Sequence, residues 1–416
     1  TSDRLEEFVR AEMKFFADNK NRPLQPLQLR EILAASAAPH RVARLLHEEL
    51  PVRFARRVRL IERIPGWPAI PELVALRTMH AKSFRELRLA DPEVDAAAYA
   101  QVIGKIRQRH KRTGHLFAGA LQKIDFAIHS ATSMSSVNPD LFSSSSVVGI
   151  DGPASAPPLD SRRLEEWCES FLSSRVSTEM QMSHYEACLG ASQSGDAPAT
   201  KIGILDAHCD PFDICQQAIA RVQDGPHPCV IEAENLCGDL HVCQAPRYLF
   251  FIMMELLHNS ARATCVAAGP EEQQLKARPI KVTVCANDVQ VVIRVSDRGG
   301  GMPQIAAEHM WSYAFRAGRK ATQPFEDVET DDEDENRASS KATARALPWG
   351  VFAGEFAKSP LSGPGMGLPL SRLYARYLGG TLEVINMPGV GVDAYLFLTR
   401  IDPPDVAASL NSITMP

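Results

Sequence analysis

The chain has 416 residues, of which 45% are apolar, so it is long enough for two or three domains with sizeable cores. A formal net charge of −5 argues against a general nucleic-acid or anionic-surface binder, and no apolar run is long enough to cross a bilayer. We therefore expect no nucleic-acid partner and no membrane insertion. Nine scattered cysteines without a CxxC pair indicate reduced thiols in an intracellular compartment and argue against a zinc site.

The N-terminal part, residues 1–189, is predicted to be a helical bundle domain. Apolar residues recur every three or four positions in LQLREILAAS, RVARLLHEELPVRFARRVRLIERI, PELVALRTMHAKSFRELRL and AAYAQVIGKIRQRHKRTGHLFAGALQKI. A Ser-, Gly- and Pro-rich stretch at about 130–160 predicts a disordered loop inside this domain. The helical pattern resumes at Ser161 and ends near Leu189. The chain starts at Thr1 without a methionine, so we expect any targeting peptide to lie upstream.

Residues 200–402 are predicted to form an α/β sandwich, with helices on one face of a mixed sheet. The predicted strands are KIGIL, CVIEAE, KVTVCAND, VQVVIRVSD, TLEVIN and VDAYLFLT. Helices are predicted at DPFDICQQAIARVQD, FFIMMELLHNSARAT and PLSRLYARYLGG. Residues 403–416 remain as a C-terminal tail. The fold class is therefore α plus α/β.

The helix FFIMMELLHNSARAT carries polar side chains in an otherwise apolar setting. Glu255, Asn259 and Arg262 follow one another at spacings of four and three, which places them on one face of the helix. Burial of such groups is unfavourable unless each finds a partner. A bound nucleotide with its metal ion would supply one. Two exposed helix residues are the alternative for Glu255 and Asn259.

Two glycine-rich loops follow this helix. Strand VVIRVSD ends at Asp297, and Gly299 and Gly301 lie in the three glycines just after it, where the backbone can approach a flat ligand and the carboxylate can accept an exocyclic amine. The second loop leads into a helix, whose free N–H groups favour a phosphate. Its candidate residues are Gly363, Gly365, Met366, Gly367 and Leu368. Each loop alone is also compatible with a plain turn, so the order of the three motifs carries the prediction.

The order ExxxN, DxGxG, GxGxG resembles the ATP-binding superfamily shared by gyrase, heat-shock-90 chaperones, histidine kinases and MutL (the GHKL superfamily). More narrowly, ELPVRFA, ELLHNSARAT, VSDRGGGMP and GPGMGLPLSRLYARYLGGTLEV resemble the mitochondrial kinases of the pyruvate and branched-chain 2-oxoacid dehydrogenase complexes. The resemblance covers nearly the whole chain. It implies an N-terminal four-helix bundle followed by a GHKL-type ATP-binding domain.

The resemblance also implies roles for individual residues. Glu255 would be the general base that takes the proton of a substrate serine. Asn259 would ligate Mg²⁺, Asp297 would bind the adenine amino group between Gly299 and Gly301, and Arg262 is grouped with the nucleotide-binding residues. The second loop would bind the phosphates, through Gly363, Gly365, Met366, Gly367 and Leu368. Residues at about 302–362 would form the ATP lid.

Several positions depart from the family pattern. Phe251 stands where pyruvate-type enzymes have a histidine one turn before the glutamate, His258 replaces the usual lysine beside the asparagine, and Val392 replaces a frequent threonine. The tail lacks the Asp-Trp motif of pyruvate-type kinases, which leans slightly toward the branched-chain type.

The family resemblance and the departures from it leave three alternative hypotheses for the function. The first is an ATP- and Mg²⁺-dependent serine kinase in the mitochondrial matrix that phosphorylates the E1α subunit of a 2-oxoacid dehydrogenase complex, docks on the lipoyl domain of E2 and forms a homodimer. A need for K⁺ is left open. The second is an ATP-binding regulatory scaffold with weak or no transfer. The third is a histidine kinase that uses His184, for which a packing role in the helical domain is the stronger interpretation.

Overall fold

The computed structural model of the chain describes residues 2–18, 38–137, 159–194, 200–269, 271–314 and 366–402. The N-terminal half is helical. Its α-helices, in chain order, are α1 (Ser2–Asp18), α2 (Pro39–Glu62), α3 (Pro71–Leu89), α4 (Ala96–His110), α5 (Thr113–Val137) and α6 (Ser161–Ser194).

The local sequence explains where several of these helices begin. Proline occupies the first turn of α2 and of α3, where N–H groups have no partner within the helix and the missing donor costs little. The Asp95 side chain caps α4 by accepting a hydrogen bond from the Ala98 N–H. Gly66, at φ 69°, turns the chain between α2 and α3.

Within the described ranges, the helices that the sequence predicts in this half are present, but their limits differ. The segment predicted as one helix after Ala96 is divided into α4 and α5 by a turn at Lys111. Helix α5 continues to Val137, past residue 130 where the loop was predicted to begin, because extending an existing helix is easier than starting one. Helix α6 likewise continues past Leu189 to Ser194. LQLREILAAS and most of the predicted loop lie outside the described residues, and the bundle of four helices stays a prediction.

The C-terminal half combines two sheets with helices. Its elements are β1 (Lys201–Ile202), β2 (Leu205–Cys209), α7 (Pro211–Gln223), β3 (Ile231–Asn235), β4 (Val242–Gln244), α8 (Pro246–Ala268), α9 (Glu272–Lys276), β5 (Ile280–Ala286), β6 (Gln290–Ser296), α10 (Gln304–Glu308), α11 (Gly367–Tyr377), β7 (Thr381–Met387) and β8 (Gly391–Thr399).

The larger sheet has the strand order β3-β5-β6-β8-β7. Strand β3 is parallel to β5 and the other pairs are antiparallel, so the predicted mixed sheet is confirmed. KIGIL, predicted as one strand, is instead the hairpin of β1 and β2, because Gly203 adopts φ 62° between them. With β4 this hairpin forms a second, antiparallel sheet that the sequence did not predict.

Helix α6 joins the two halves. Its Trp167 and Phe171 rings stack with Phe117 of α5, at centroid distances of 5.3 and 5.0 Å from Phe117, and belong to a core that continues into the sheet domain. On its other side, the Ser173 carbonyl accepts a hydrogen bond of 2.8 Å from the Tyr377 hydroxyl at the end of α11. The fold class, a helical half followed by a mixed-sheet domain, is therefore as predicted. Within the described ranges, no helix is both long and apolar enough to cross a membrane.

Candidate active site

Helix α8 forms the floor of the candidate site. Proline at its first turn and Gly269 at φ 67° just past its end set its limits. Most of its apolar side chains are buried, and Ile252, Met253 and Leu257 have no exposed surface. Glu255 and Asn259 are half-buried, whereas Arg262 is exposed. The predicted polar face therefore runs from the protein interior to the solvent.

Asp297 lies at the end of β6 and is held by groups from three directions. Its Oδ1 accepts the N–H groups of Gly299 at 2.9 Å and Val392 at 3.3 Å, and its Oδ2 accepts the Ser260 hydroxyl of α8 at 2.9 Å. The side chain is buried, with 4% of its surface exposed. Burial raises the pKa of Asp297, and the hydrogen bonds from Gly299, Ser260 and Val392 oppose that rise. The carboxylate is thus oriented by the protein itself.

The glycines around Asp297 permit close contact between backbone segments. A Cβ on Gly299 would lie 2.6 Å from the Cβ of Ala263, so this loop rests directly on α8. Gly301, at φ 74°, approaches the Met387 carbonyl, which a Cβ would meet at 2.6 Å. A side chain on Gly391 would overlap the Asp297 carbonyl. Any side chain at these positions would push the Asp297 loop away from α8 or from the β7–β8 turn.

Glu255 meets the start of α11 at the opposite end of the site. A Cβ on Gly367, the first residue of α11, would overlap the Glu255 carboxylate. Met366 is buried and Leu368 is half-buried beside it. Gly363 and Gly365 lie outside the described residues. The ExxxN helix and the described end of the second glycine loop are therefore adjacent in space.

The positions that depart from the family pattern have clear environments. Phe251, one turn before Glu255, is buried and packs edge-on against Tyr374 of α11 at a centroid distance of 5.0 Å. Burial and the nearby His227 and Arg221 lower the pKa of His258, which favours its neutral form. Val392 binds Asp297 through its backbone N–H, so its side chain is not needed for that contact.

The structure thus places the predicted residues in two groups along α8. Asp297 and Gly299 contact the Ser260–Thr264 part of the helix, and Gly367 contacts Glu255, a little more than one turn earlier. Arg262 has no described contact that ties it to either group.

Three contributors were missed by the sequence interpretation. Ser260 and the Val392 N–H hold Asp297, and the Asn386 amide pairs with both backbone groups of Met302, at 2.7 and 2.9 Å, just past the glycines. Ser260 was detectable, since it directly follows Asn259 on the same helix. The contacts of Val392 and Asn386 depend on strand pairing that no local pattern encodes.

Comparison with known proteins agrees with this geometry. Residues 26–206 match the family model of mitochondrial branched-chain alpha-ketoacid dehydrogenase kinase, and residues 244–401 match that of histidine kinase-, DNA gyrase B- and HSP90-like ATPases. A mitochondrial [pyruvate dehydrogenase (acetyl-transferring)] kinase of Arabidopsis thaliana is 27% identical over 86% of this chain and 84% of its own length. Isozyme 4 of the same kinase from Homo sapiens is 24% identical over 96% of this chain and 86% of its own length.

The comparisons support the mitochondrial dehydrogenase kinase family for this chain. Members of this family are ATP-dependent kinases built on the GHKL ATPase domain, and the predicted family resemblance is confirmed. The two models match different parts of the chain: the helical half matches the dehydrogenase kinase model, and the sheet domain matches the broader ATPase model.

The residues of the candidate site fit ATP and Mg²⁺. Among the described contacts, Asp297 Oδ2 accepts one hydrogen bond, and a carboxylate oxygen has room for a second donor such as an exocyclic amine. The described residues contain no group of three or more His, Cys, Asp or Glu side chains that would hold a metal ion. An isolated Asn259 suits Mg²⁺, because this ion is usually held by few protein ligands together with phosphate and water oxygens.

His184 has the environment of a packing residue. It is buried, and burial lowers its pKa to about 4. Its Nδ1 accepts the Ile204 N–H at 3.4 Å, and the Cys188 sulfur lies 3.7 Å from its Nε2. Both ring nitrogens are therefore engaged inside the protein, which argues against a phospho-acceptor and agrees with the packing role predicted for it.

Proposed function

We propose that this chain is a protein serine kinase that transfers the γ-phosphoryl group of ATP to the E1α subunit of a mitochondrial 2-oxoacid dehydrogenase complex and thereby inactivates that complex. The observation that carries the proposal is the spacing along α8. Asp297, a buried carboxylate for the adenine, lies against the Ser260–Thr264 part of the helix, and the candidate base Glu255 lies a little more than one turn earlier, against the start of α11. The names of the relatives support a dehydrogenase complex as the target.

Each residue then has a defined task. Asp297 accepts the adenine amino group and so fixes the nucleotide at one end. Gly367 and Met366 present backbone N–H groups at the beginning of α11, where the helix dipole favours phosphate oxygens. Asn259 would hold Mg²⁺, which neutralises phosphate charge when bound. These parts position the reactants, and positioning with charge neutralisation is most of what phosphoryl transfer requires.

Glu255 performs the proton chemistry. Its carboxylate takes the proton of the serine hydroxyl as the hydroxyl oxygen bonds to the γ-phosphorus. The bond between the γ-phosphorus and the β,γ-bridging oxygen breaks, and ADP leaves with the electron pair of that bond. The products are phosphoserine and ADP, with the proton on Glu255 until water removes it.

The partners and the compartment extend this proposal. We place the kinase in the mitochondrial matrix, docked on the lipoyl domain of E2, because its proposed substrate is part of that complex. We also propose a homodimer through the outer face of the larger sheet. That face carries the Tyr395 and Phe397 rings of β8, stacked at 6.3 Å, and Ile385 of β7 with 52% of its surface exposed. Light scattering at increasing concentration tests the dimer.

An ATP-binding scaffold with weak or no transfer is the second candidate. Phe251 favours it, because a phenyl ring packed on Tyr374 cannot form a hydrogen bond that tunes the Glu255 carboxylate. His258 also favours the scaffold. Its lowered pKa favours the neutral imidazole, whereas the lysine that is usual at this position would carry a positive charge.

Transfer of ³²P from ATP to purified E1α separates the two candidates. The kinase labels E1α, and Glu255→Gln reduces the rate by about 10²- to 10⁴-fold, the usual contribution of a general base, while ADP affinity changes little. Binding of ATP without labelling by the wild-type chain would establish the scaffold instead. Parallel assays with pyruvate-type and branched-chain E1α identify the substrate, and replacing K⁺ by Na⁺ tests the potassium requirement.

A further inference from the structure

Two glutamates of the helical half reach into the nucleotide-binding half. Glu165 of α6 accepts hydrogen bonds from the backbone N–H of Tyr313 at 3.0 Å, from the N–H of Ala314 at 3.2 Å and from the Ser312 hydroxyl. Its carboxylate therefore binds three consecutive residues of the segment that follows α10. This contact joins elements 147 to 149 residues apart in the chain.

Glu169 lies one helical turn further along α6 and has two partners. The Tyr313 hydroxyl donates to its Oε2 at 2.5 Å, and Arg376 of α11 donates to its Oε1 at 2.6 Å. The Glu169 carboxylate thus connects Tyr313, which precedes residues 315–365 in the chain, with α11, which follows them. A third contact closes the arrangement, because the Arg372 guanidinium of α11 lies over the Trp311 ring, 4.6 Å from its centroid.

The consequence for the active site follows from the position of α11. This helix begins at Gly367, in contact with Glu255, and its C-terminal turn carries Arg376 and Tyr377, which bind α6. Its eleven residues form a single rigid element. A force on the C-terminal turn therefore changes where its N-terminal N–H groups lie relative to Glu255.

The individual contacts differ in strength. The Arg376–Glu169 pair is weak, because the two side chains expose 46% and 42% of their surface and solvent screens exposed ion pairs. Tyr313 is stronger, since it is buried, with 4% of its surface exposed, and donates to an ionised acceptor. The Glu165 carboxylate is half-buried and accepts hydrogen bonds from three donors. Most of the positioning effect should therefore reside in Glu165 and in the Tyr313–Glu169 bond.

We propose that Glu165 and Glu169 are positioning residues for nucleotide binding, which hold Ser312–Ala314 and α11 against the helical half so that the start of α11 stays beside Glu255. The proposal rests on the proposed function only in taking the Glu255–Gly367 region as the phosphate end of the site. It makes the helical half a component of the nucleotide site, although neither glutamate contacts the nucleotide.

Direct measurement of ADP affinity by titration calorimetry tests this proposal without depending on phosphoryl transfer. Glu165→Gln replaces one acceptor oxygen by an amino group that faces N–H donors, and we expect the Kd for ADP to rise about tenfold, the effect of losing one charge-assisted hydrogen bond. Glu166→Gln is the matched control. It removes the same charge from the next residue, which lies in solvent and pairs with Arg162 on the same helix. The control should bind ADP as the wild type does.

Variants of Tyr313 and Glu169 test the same proposal if Glu165→Gln does not fold. Tyr313→Phe should raise the Kd for ADP about threefold, and Glu169→Gln, which keeps an oxygen acceptor for Tyr313, should bind ADP more tightly than Glu169→Ala. With active enzyme, the KM for ATP should rise while kcat at saturating ATP stays near the wild-type value. A structural role alone would lower thermal stability without this ordering of affinities.

The outcomes are distinct. Equal ADP affinity in Glu165→Gln, Glu166→Gln and the wild type overturns the positioning role and leaves the proposed kinase function intact. A wild-type chain that binds no nucleotide overturns both. Wild-type nucleotide affinity without transfer to E1α overturns only the kinase function, and weaker binding by Glu165→Gln and Tyr313→Phe would still establish the positioning role.

Discussion

The two ends of the candidate site, which follow one another along α8, are built in different ways. At the Asp297 end, the carboxylate is held by Ser260, Gly299 and Val392, which belong to the sheet domain and lie within a few ångströms. At the Glu255 end, the described partner is the first residue of α11. That helix is held through its far end, by contacts with α6 of the helical half.

The adenine end and the phosphate end of the nucleotide site therefore depend on different parts of the chain. The adenine end is oriented by hydrogen bonds inside one domain, so it should tolerate changes in the helical half. The phosphate end depends on the assembly of two halves, so distant substitutions should affect it.

Asp297→Asn should weaken ADP binding about 30- to 150-fold, because charged hydrogen bonds contribute about 2–3 kcal/mol and the new amino group would face donors. The pH dependence follows from the same carboxylate. Since burial raises its pKa, wild-type affinity should fall on acidification at a higher pH than an ordinary aspartate would give, as protonation removes an acceptor. The variant should lose this dependence. Calorimetric titration of ADP across acidic pH measures both effects.

A result in which Asp297→Asn binds ADP normally would contradict the assignment of the adenine end. Ser260→Ala provides the intermediate case, because it removes one of the three donors and leaves the carboxylate in place. It should weaken binding by less than Asp297→Asn.

Local patterns in the sequence predicted residues at both ends of the site but not the contacts that hold them, and the physical reason is range. Asp297 and its glycines form a local motif at a strand end, and Glu255 and Asn259 share a helix face, so both were found from spacing alone. The Val392 and Asn386 contacts arise from pairing of β8 with β6 and with β7. The Glu165 contacts join residues about 150 positions apart, which no periodic pattern reports. The hairpin of β1 and β2 was missed because one glycine in a short apolar run decided between a strand and a turn.

Gly367→Ala should affect transfer more than binding. The added Cβ would overlap the Glu255 carboxylate, which is the far end of a flexible side chain and will rotate away, so the fold is expected to persist. Displacement of the base by about 1 Å lowers kcat by about 10- to 100-fold, whereas ADP affinity should change much less. Steady-state kinetics with E1α together with ADP titration measure the two quantities.

Gly104→Ala is the matched control for that substitution. It lies in α4, and a Cβ there would be 3.8 Å from Glu186 Oε1, an ordinary contact distance. Equal losses of kcat in the two alanine variants would show that Gly367 has no special relation to Glu255.

Phe251→His should produce the smallest of these effects, and it should change kcat without changing ADP affinity. The new imidazole lies one turn before Glu255 and can form a hydrogen bond with the carboxylate, which a phenyl ring cannot. We expect kcat to rise a few-fold and the pH profile of kcat to gain an additional ionisation, while ADP affinity is unchanged. Replacing a buried ring that packs on Tyr374 by a polar one should lower the free energy of unfolding by about 1–2 kcal/mol.

Phe251→Leu separates the two consequences, because it loses the ring contact with Tyr374 without adding a hydrogen-bonding group. If Phe251→Leu and Phe251→His lose similar stability but only the histidine variant gains rate, the phenyl ring limits transfer by leaving Glu255 untuned. If both variants keep the wild-type kcat, the residue one turn before Glu255 does not limit phosphoryl transfer, and the phenyl ring at position 251 gives no support to the scaffold.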